Sequence, residues 1–151
     1  MLGSVVNLAT HCPPGKLWGL IVSDEDASKG RRVQSGEKVV FDQASLARGI
    51  IPVEIERGLR VSFEIERVEG KRRATAVKPL PFLTGLVTTI RVNAIGMNYG
   101  FVRSDETGDY LYFDGRDTRN MAEIRIGHRV EFQPSIDPFN WKSRARTVKR
   151  R

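Results

Sequence analysis

Cysteine is almost missing from this chain: Cys12 is the single one in 151 residues. That excludes an internal disulfide and suits a reducing compartment. Histidine is equally scarce. His11 and His128 lie far apart, and Cys12 has no Cys-Xaa-Xaa-Cys companion, so a neighbouring His-Cys pair supplies too few ligands for zinc. There is no Walker loop, no dinucleotide glycine fingerprint and no nucleophile elbow. Acidic residues are scattered rather than paired. These absences argue against catalysis, metal and cofactor alike, and an enzyme is not expected. No apolar run approaches a membrane span. Met1-Leu2-Gly3-Ser4-Val5-Val6-Asn7 lacks the basic flank and long apolar stretch of a signal peptide, so a cytoplasmic protein without membrane attachment is expected.

What the chain does have is positive charge. Lys plus Arg number 25 against 18 Asp plus Glu, a formal net charge of +7. With 40% apolar and 28% charged residues the composition is that of a globular protein. A basic balance of this size favours polyanionic partners, nucleic acid first among them.

The sequence also repeats itself. Gly3-Ser4-Val5 corresponds to Gly85-Leu86-Val87, and Trp18-Gly19-Leu20-Ile21 to Tyr99-Gly100-Phe101-Val102. Gly58-Leu59-Arg60-Val61-Ser62-Phe63 corresponds to Gly127-His128-Arg129-Val130-Glu131-Phe132, and Lys71–Lys78 to Lys142–Lys149. Two domains are therefore expected, 1–80 and 83–151, joined by a stiff Pro79-Leu80-Pro81-Phe82. Each half reads as five short strands, near 3–8, 17–23, 37–42, 58–67 and 71–78, then 85–92, 98–105, 109–114, 127–136 and 140–149. Alternation is clearest in Arg60–Glu66, with Val61, Phe63 and Ile65 inward. Helical signal is limited to single turns at Gln43–Leu46 and Arg119–Ala122. So few short strands bury their apolar face most economically by closing, which predicts an all-β fold of two tandem five-stranded barrels.

Aromatic residues concentrate in two strands of the second half, Tyr99-Gly100-Phe101-Val102 and Tyr110-Leu111-Tyr112-Phe113. Side chains alternate along a strand, so Tyr99, Phe101 and Arg103 share one face, and Tyr110 and Tyr112 share another. Val87, Val102, Leu111, Val130, Phe132 and Val148 supply an interior without them. Paired as a hairpin, these strands set Tyr99, Phe101, Tyr110 and Tyr112 side by side next to Arg103. Rings beside cations stack unpaired bases and hold phosphates. Alternation turns Phe113 inward unless the strand ends there.

These motifs resemble those of the cold-shock domain, an OB-type barrel that binds single-stranded RNA and DNA. Tyr99-Gly100-Phe101-Val102 is similar to the family's first ribonucleoprotein motif, and Tyr110-Leu111-Tyr112-Phe113 to its second, with Tyr112 where histidine is usual. The Gly85/Val87 opening and the Gly127-His128-Arg129-Val130-Glu131-Phe132 strand also agree. The resemblance implies a base-stacking platform of Tyr99, Phe101, Tyr110, Tyr112 and Phe113, and a role in RNA chaperoning or regulation of gene expression, without cofactor. There are departures. Thr89 and Ile90 replace the usual Trp-Phe pair, and Asn93–Asn98 contains no lysine. The first half diverges further, keeping Trp18 and Leu20 in one motif and only Phe41 as an aromatic in Lys38-Val39-Val40-Phe41.

Trp18, Leu20, Val40 and Lys38 leave three readings open for the first half: a weaker nucleic-acid site with Trp18 stacking, a surface packed on the second half, or a protein-binding patch. The rival to nucleic-acid binding as a whole is thus a structural or protein-interaction module acting through the apolar face of the first barrel. Arg129, Lys142, Arg144 and Arg146 are further candidates for a phosphate groove, and Lys149-Arg150-Arg151 is expected to fray and touch phosphate nonspecifically. Phe139 and Trp141 either extend the platform or cap the barrel, with capping favoured.

Overall fold

The computed structural model describes residues 1–11, 14–24, 38–137 and 139–151. Cys12 lies outside the described residues. The chain divides into two compact units, one built around Met1–Leu80 and the other around Pro81–Asp137 and Lys142–Arg151. No described helix is long and apolar enough to cross a membrane.

The first unit contains β1 (Leu2–His11), β2 (Pro14–Ser23), β3 (Lys38–Asp42), β4 (Arg60–Val68) and β5 (Lys71–Pro79). They close into a barrel in the order β1-β2-β3-β5-β4. The second unit repeats the plan with β6 (Leu83–Val92), β7 (Asn98–Ser104), β8 (Tyr110–Asp114), β9 (Arg129–Ile136) and β10 (Ser143–Arg150), and its strands close in the matching order. In each barrel the third and fifth strands meet in parallel through a single pair, Val40 with Arg73 and Tyr112 with Arg144. The fold is all-β, two closed five-stranded barrels of OB-like type, as the strand pattern requires.

Alternation fills each interior. Val5, Ile21, Val39, Phe41, Leu59, Val61, Phe63, Ala74 and Val77 form the first core. Val87, Val102, Leu111, Phe113, Ile124, Val130, Phe132, Ala145 and Val148 form the second. Each large apolar side chain so buried contributes roughly 1.5–3 kcal/mol. That matters in units this small, which bury only about 60% of their chain surface.

Strand ends are set by backbone chemistry. β4 and β9 start two residues later than the pattern suggests, because Gly58 and Gly127 adopt φ of 91° and 89° and turn the chain. Their amides donate to Val5 and Val87 at 2.7 and 2.8 Å, closing the same corner in both barrels. The expected helical turns exist as 3₁₀ turns at Gln43–Ser45 and Met121–Glu123, with another at Pro52–Glu54. The second begins later than expected because the Asn120 side chain caps it, accepting from the Ala122 amide at 3.2 Å.

One irregularity positions the site. β6 pairs regularly with β7 up to Val87, then skips Thr88, so that Thr89 faces Phe101 and Arg91 faces Tyr99. This bulge reverses the phase of the strand. Ile90 turns toward the core, and Thr89 and Arg91 join the outer face. β1 carries the equivalent bulge between Val5 and Asn7. Gly100 lies where the strands press together. A Cβ there would collide with the Thr89 carbonyl oxygen and reach within 2.9 Å of Ile90 and 3.0 Å of Phe113.

Candidate functional site

β7 and β8 pair with Tyr99 opposite Asp114, Phe101 opposite Tyr112 and Arg103 opposite Tyr110. Cross-strand neighbours on one face are close enough for ring contact. Tyr99 and Tyr112 are near parallel, centroids 5.8 Å apart. Phe101 meets each of them edge-on, at 6.4 Å from Tyr99 and 5.9 Å from Tyr112. All three are half-buried, each with one side on the barrel and the other open. Tyr110 is 57% exposed, lies beside Arg103 and makes no ring contact with the other three. The structure thus brings together three of the expected rings and sets the fourth at their edge.

Phe113 corrects the expectation taken from the family motif. Its ring is fully buried in the second core. β8 stays extended through Asp114, so alternation holds and Phe113 packs inward under Gly100.

Beneath the rings lies a buried charge network. The Arg144 guanidinium sits 5.3 Å from the Tyr112 ring centroid, a cation–π arrangement. Its Nε and Nη2 donate to the two Asp117 oxygens at 3.1 and 2.8 Å, Nη2 also to Asp114 at 3.2 Å and Nη1 to Asp137 at 2.9 Å. The Tyr112 hydroxyl donates to Asp114 Oδ2 at 3.0 Å. Arg116 clamps the same carboxylate through Nε and Nη2 at 3.2 and 2.8 Å, while Asp117 accepts from the Asp114 amide at 3.0 Å. Tyr112 is therefore held at its hydroxyl by Asp114 and over its ring by Arg144.

Titration follows this wiring. Burial pushes Asp114 up, but hydrogen bonds from the Arg116 side chain and backbone and from Tyr112, with the Arg144 charge, outweigh it and hold the carboxyl at about 2. Burial raises Asp117 despite its bond to Arg144. Tyr112 is raised too, by burial and then by the negative charge of Asp114.

The expected cations separate into two kinds. Arg103 is exposed on the ring-bearing face and forms no ion pair among the described residues. Arg144 is not a groove cation: it is buried and committed to three carboxylates. Arg129 pairs with Asp105. The basic end does not fray through Arg150, because β10 reaches that residue, paired with Val130; Lys149 sits 5.2 Å from the Phe82 centroid. Phe139 is 82% exposed, and Trp141 is half-buried. Arg91 is the residue that sequence reasoning missed. It is exposed, opposite Tyr99, and the bulge that places it leaves no mark in the alternation. The Asp114-Xaa-Xaa-Asp117 turn was a visible clue to the buried network.

In the first barrel the same face carries Trp18 opposite Asp42, Leu20 opposite Val40 and Val22 opposite Lys38. Trp18 and Val40 are 46% and 44% exposed. Among the described residues no group of three or more His, Cys, Asp or Glu side chains is arranged to hold a metal ion.

No family model matches the chain, and no curated protein matches it. Among solved structures one similar chain is "drosophila Unr CSD456", 19% identical, with a TM-score of 0.38 over 99% of this chain. The match covers 60% of that chain, so this protein spans well under its full length.

Proposed function

We propose that the second barrel binds single-stranded nucleic acid, RNA or DNA, by stacking bases on Tyr99, Phe101 and Tyr112, with Tyr110 extending the row. Arg91 and Arg103 flank the rings and meet phosphates. The observation that carries this reading is the mutual contact of three rings on the outer face of a barrel whose core is already filled without them. Exposed aromatic clusters mark binding surfaces, and base–ring stacking tolerates any sequence because every base has a π face. On this reading the protein is a binding module, not an enzyme, and it acts in melting or chaperoning RNA structure or in regulating gene expression. A second reading has one observation in its favour: the apolar stripe of exposed Trp18 and Val40 with half-buried Leu20 suits a protein partner of the first barrel.

Fluorescence anisotropy with a random single-stranded oligomer, against duplex of equal length, tests the proposal. At about 1–3 kcal/mol per stacked base, Phe101→Ala with Tyr112→Ala weakens single-strand binding by at least about 30-fold, with the far-UV circular dichroism unchanged. An unaltered affinity in that folded variant removes the ring platform. No binding by the unmodified protein leaves the protein-interaction reading.

A further inference from the structure

The turns that follow β3 and β8 are built alike. Asp42 Oδ1 accepts from the Ala44 amide at 2.9 Å, and Asp114 Oδ1 accepts from the Arg116 amide at the same distance. The first barrel closes this turn with an alanine, so its backbone has no need of an arginine side chain. Nor does the Asp114 carboxylate, already met by the Tyr112 hydroxyl, by Arg144 Nη2 and by that amide. Arg116 is held on it all the same, with its side chain 63% exposed.

The way it is held decides what it can do. Nε and Nη2 donate to the two Asp114 oxygens at 3.2 and 2.8 Å, which occupies one edge of a planar guanidinium with five N–H donors. The other edge, Nη1 with the second hydrogen of Nη2, has no hydrogen-bond partner among the described residues. Asp114 Oδ2 also accepts from Tyr112, so this open fork stands two hydrogen bonds away from the Tyr112 hydroxyl. A flat group lying on the Tyr112 ring brings its own edge toward the fork.

Two acceptors side by side on that edge match the two donors, and guanine carries such a pair in N7 and O6. Adenine sets an acceptor beside a donor, and thymine sets one beside a methyl. Cytosine has adjacent acceptors in N3 and O2, but on a single ring with less surface to stack. The two rings of guanine cover Tyr112 and still extend past its hydroxyl.

We infer that Arg116 reads one base of the bound strand and selects guanine where that base stacks on Tyr112. The inference rests on the nucleic-acid reading above, and adds selectivity at one position to a platform that otherwise accepts any base.

Fluorescence anisotropy of the full chain tests it with three oligomers: all thymidine, thymidine with one central guanine, and thymidine with 7-deazaguanine at that place. The guanine oligomer is expected to bind at least about fivefold more tightly than the all-thymidine one. The 7-deazaguanine oligomer, which lacks the N7 acceptor, loses much of that gain. These comparisons need no variant. Arg116→Lys keeps a cation beside Asp114 but has no fork, and should bring the ratio of guanine to 7-deazaguanine affinities to about one. That ratio cancels whatever the substitution costs every oligomer, so a merely structural part for Arg116 would leave it unmoved.

Equal affinity for all three oligomers overturns the inference and leaves the ring platform standing. A guanine preference that survives Arg116→Lys overturns the assignment to this residue. A salt slope made about 0.7 shallower by Arg116→Gln, with the guanine ratio intact, puts Arg116 on a phosphate and overturns its reading of a base. Failure of every oligomer to bind ends the nucleic-acid reading and this inference together.

Discussion

Asp42 and Asp114 occupy the same place in the two barrels, at the end of the third strand opposite the first ring of the outer face. What surrounds them differs. In the first barrel the Asp42 amide donates to the Ser45 hydroxyl at 3.1 Å, and the carboxylate meets Arg73 at 2.6 Å in a half-exposed pair. In the second, Asp117 replaces the serine and accepts the equivalent amide bond, and Arg144 replaces Arg73 but is buried among three carboxylates. One hydroxyl therefore suffices to close this corner. The extra carboxylate and the buried guanidinium are more than the barrel needs, and burying charge is costly. They lie under Tyr112, where the first barrel has Val40 and no ring to hold. The comparison separates what this fold requires (bulge, glycine, strand-end acceptor) from what the second barrel adds to support an aromatic surface.

Arg144→Ala is expected to have the largest effect, because it strands buried carboxylates. Removing one partner of a buried ion pair costs about 3–5 kcal/mol, whereas Arg73→Ala, in an exposed pair, costs under about 1 kcal/mol. Urea unfolding followed through amides of each barrel measures both, and equal effects would break the comparison.

Acid sensitivity comes next. Asp114 is held at about 2 against an ordinary 3.8, so its ionised form stabilises the fold. That contribution, about 2 kcal/mol, is complete above the ordinary value and lost as pH falls from there toward about 2. Asp117 is raised and acts oppositely: its ionised form costs stability, which is recovered as pH falls through its raised value toward 3.8. Asp42 is lowered in the first barrel; burial opposes this, but Arg73, Ser45 and the Ala44 amide prevail. The second barrel should thus hold its stability down to about pH 4 and lose it below, and Asp114→Asn should remove that acid limb. Stability that already falls steeply between about pH 6 and pH 4 would contradict this wiring.

The smallest effect sharpens the comparison at the bulge. Arg91 faces Tyr99 as Ala9 faces Trp18. Arg91→Ala makes the second barrel like the first there and should reduce the salt slope of single-strand binding by about 0.7, one phosphate contact. An unchanged slope would take Arg91 out of the interface.

Much of this was legible in the sequence because strand alternation is a local signal. Val102, Leu111 and Phe132 declared the interior, the repeat declared the second barrel, and the order Tyr99-Gly100-Phe101 gave the ring-bearing face. What alternation cannot express is a change of phase. Thr88 at the bulge moves Arg91 onto the face, and nothing in Val87-Thr88-Thr89-Ile90-Arg91 announces it. Nor does it distinguish a solvated arginine from a buried one. Arg144 looks like its neighbours Lys142 and Arg146 until the parallel seam with Tyr112 brings it against Asp114 and Asp117, residues distant in sequence. Phe113 shows the converse: simple alternation placed it inward, and the family motif pointed the other way.

The most direct test is to observe the rings themselves. Aromatic-edited nuclear magnetic resonance of the complex with oligothymidylate should show intermolecular contacts between base protons and the rings of Tyr99, Phe101 and Tyr112, with ring-current shifts on those signals. A bound oligomer that leaves all three rings unshifted and without base contacts would contradict the proposed stacking.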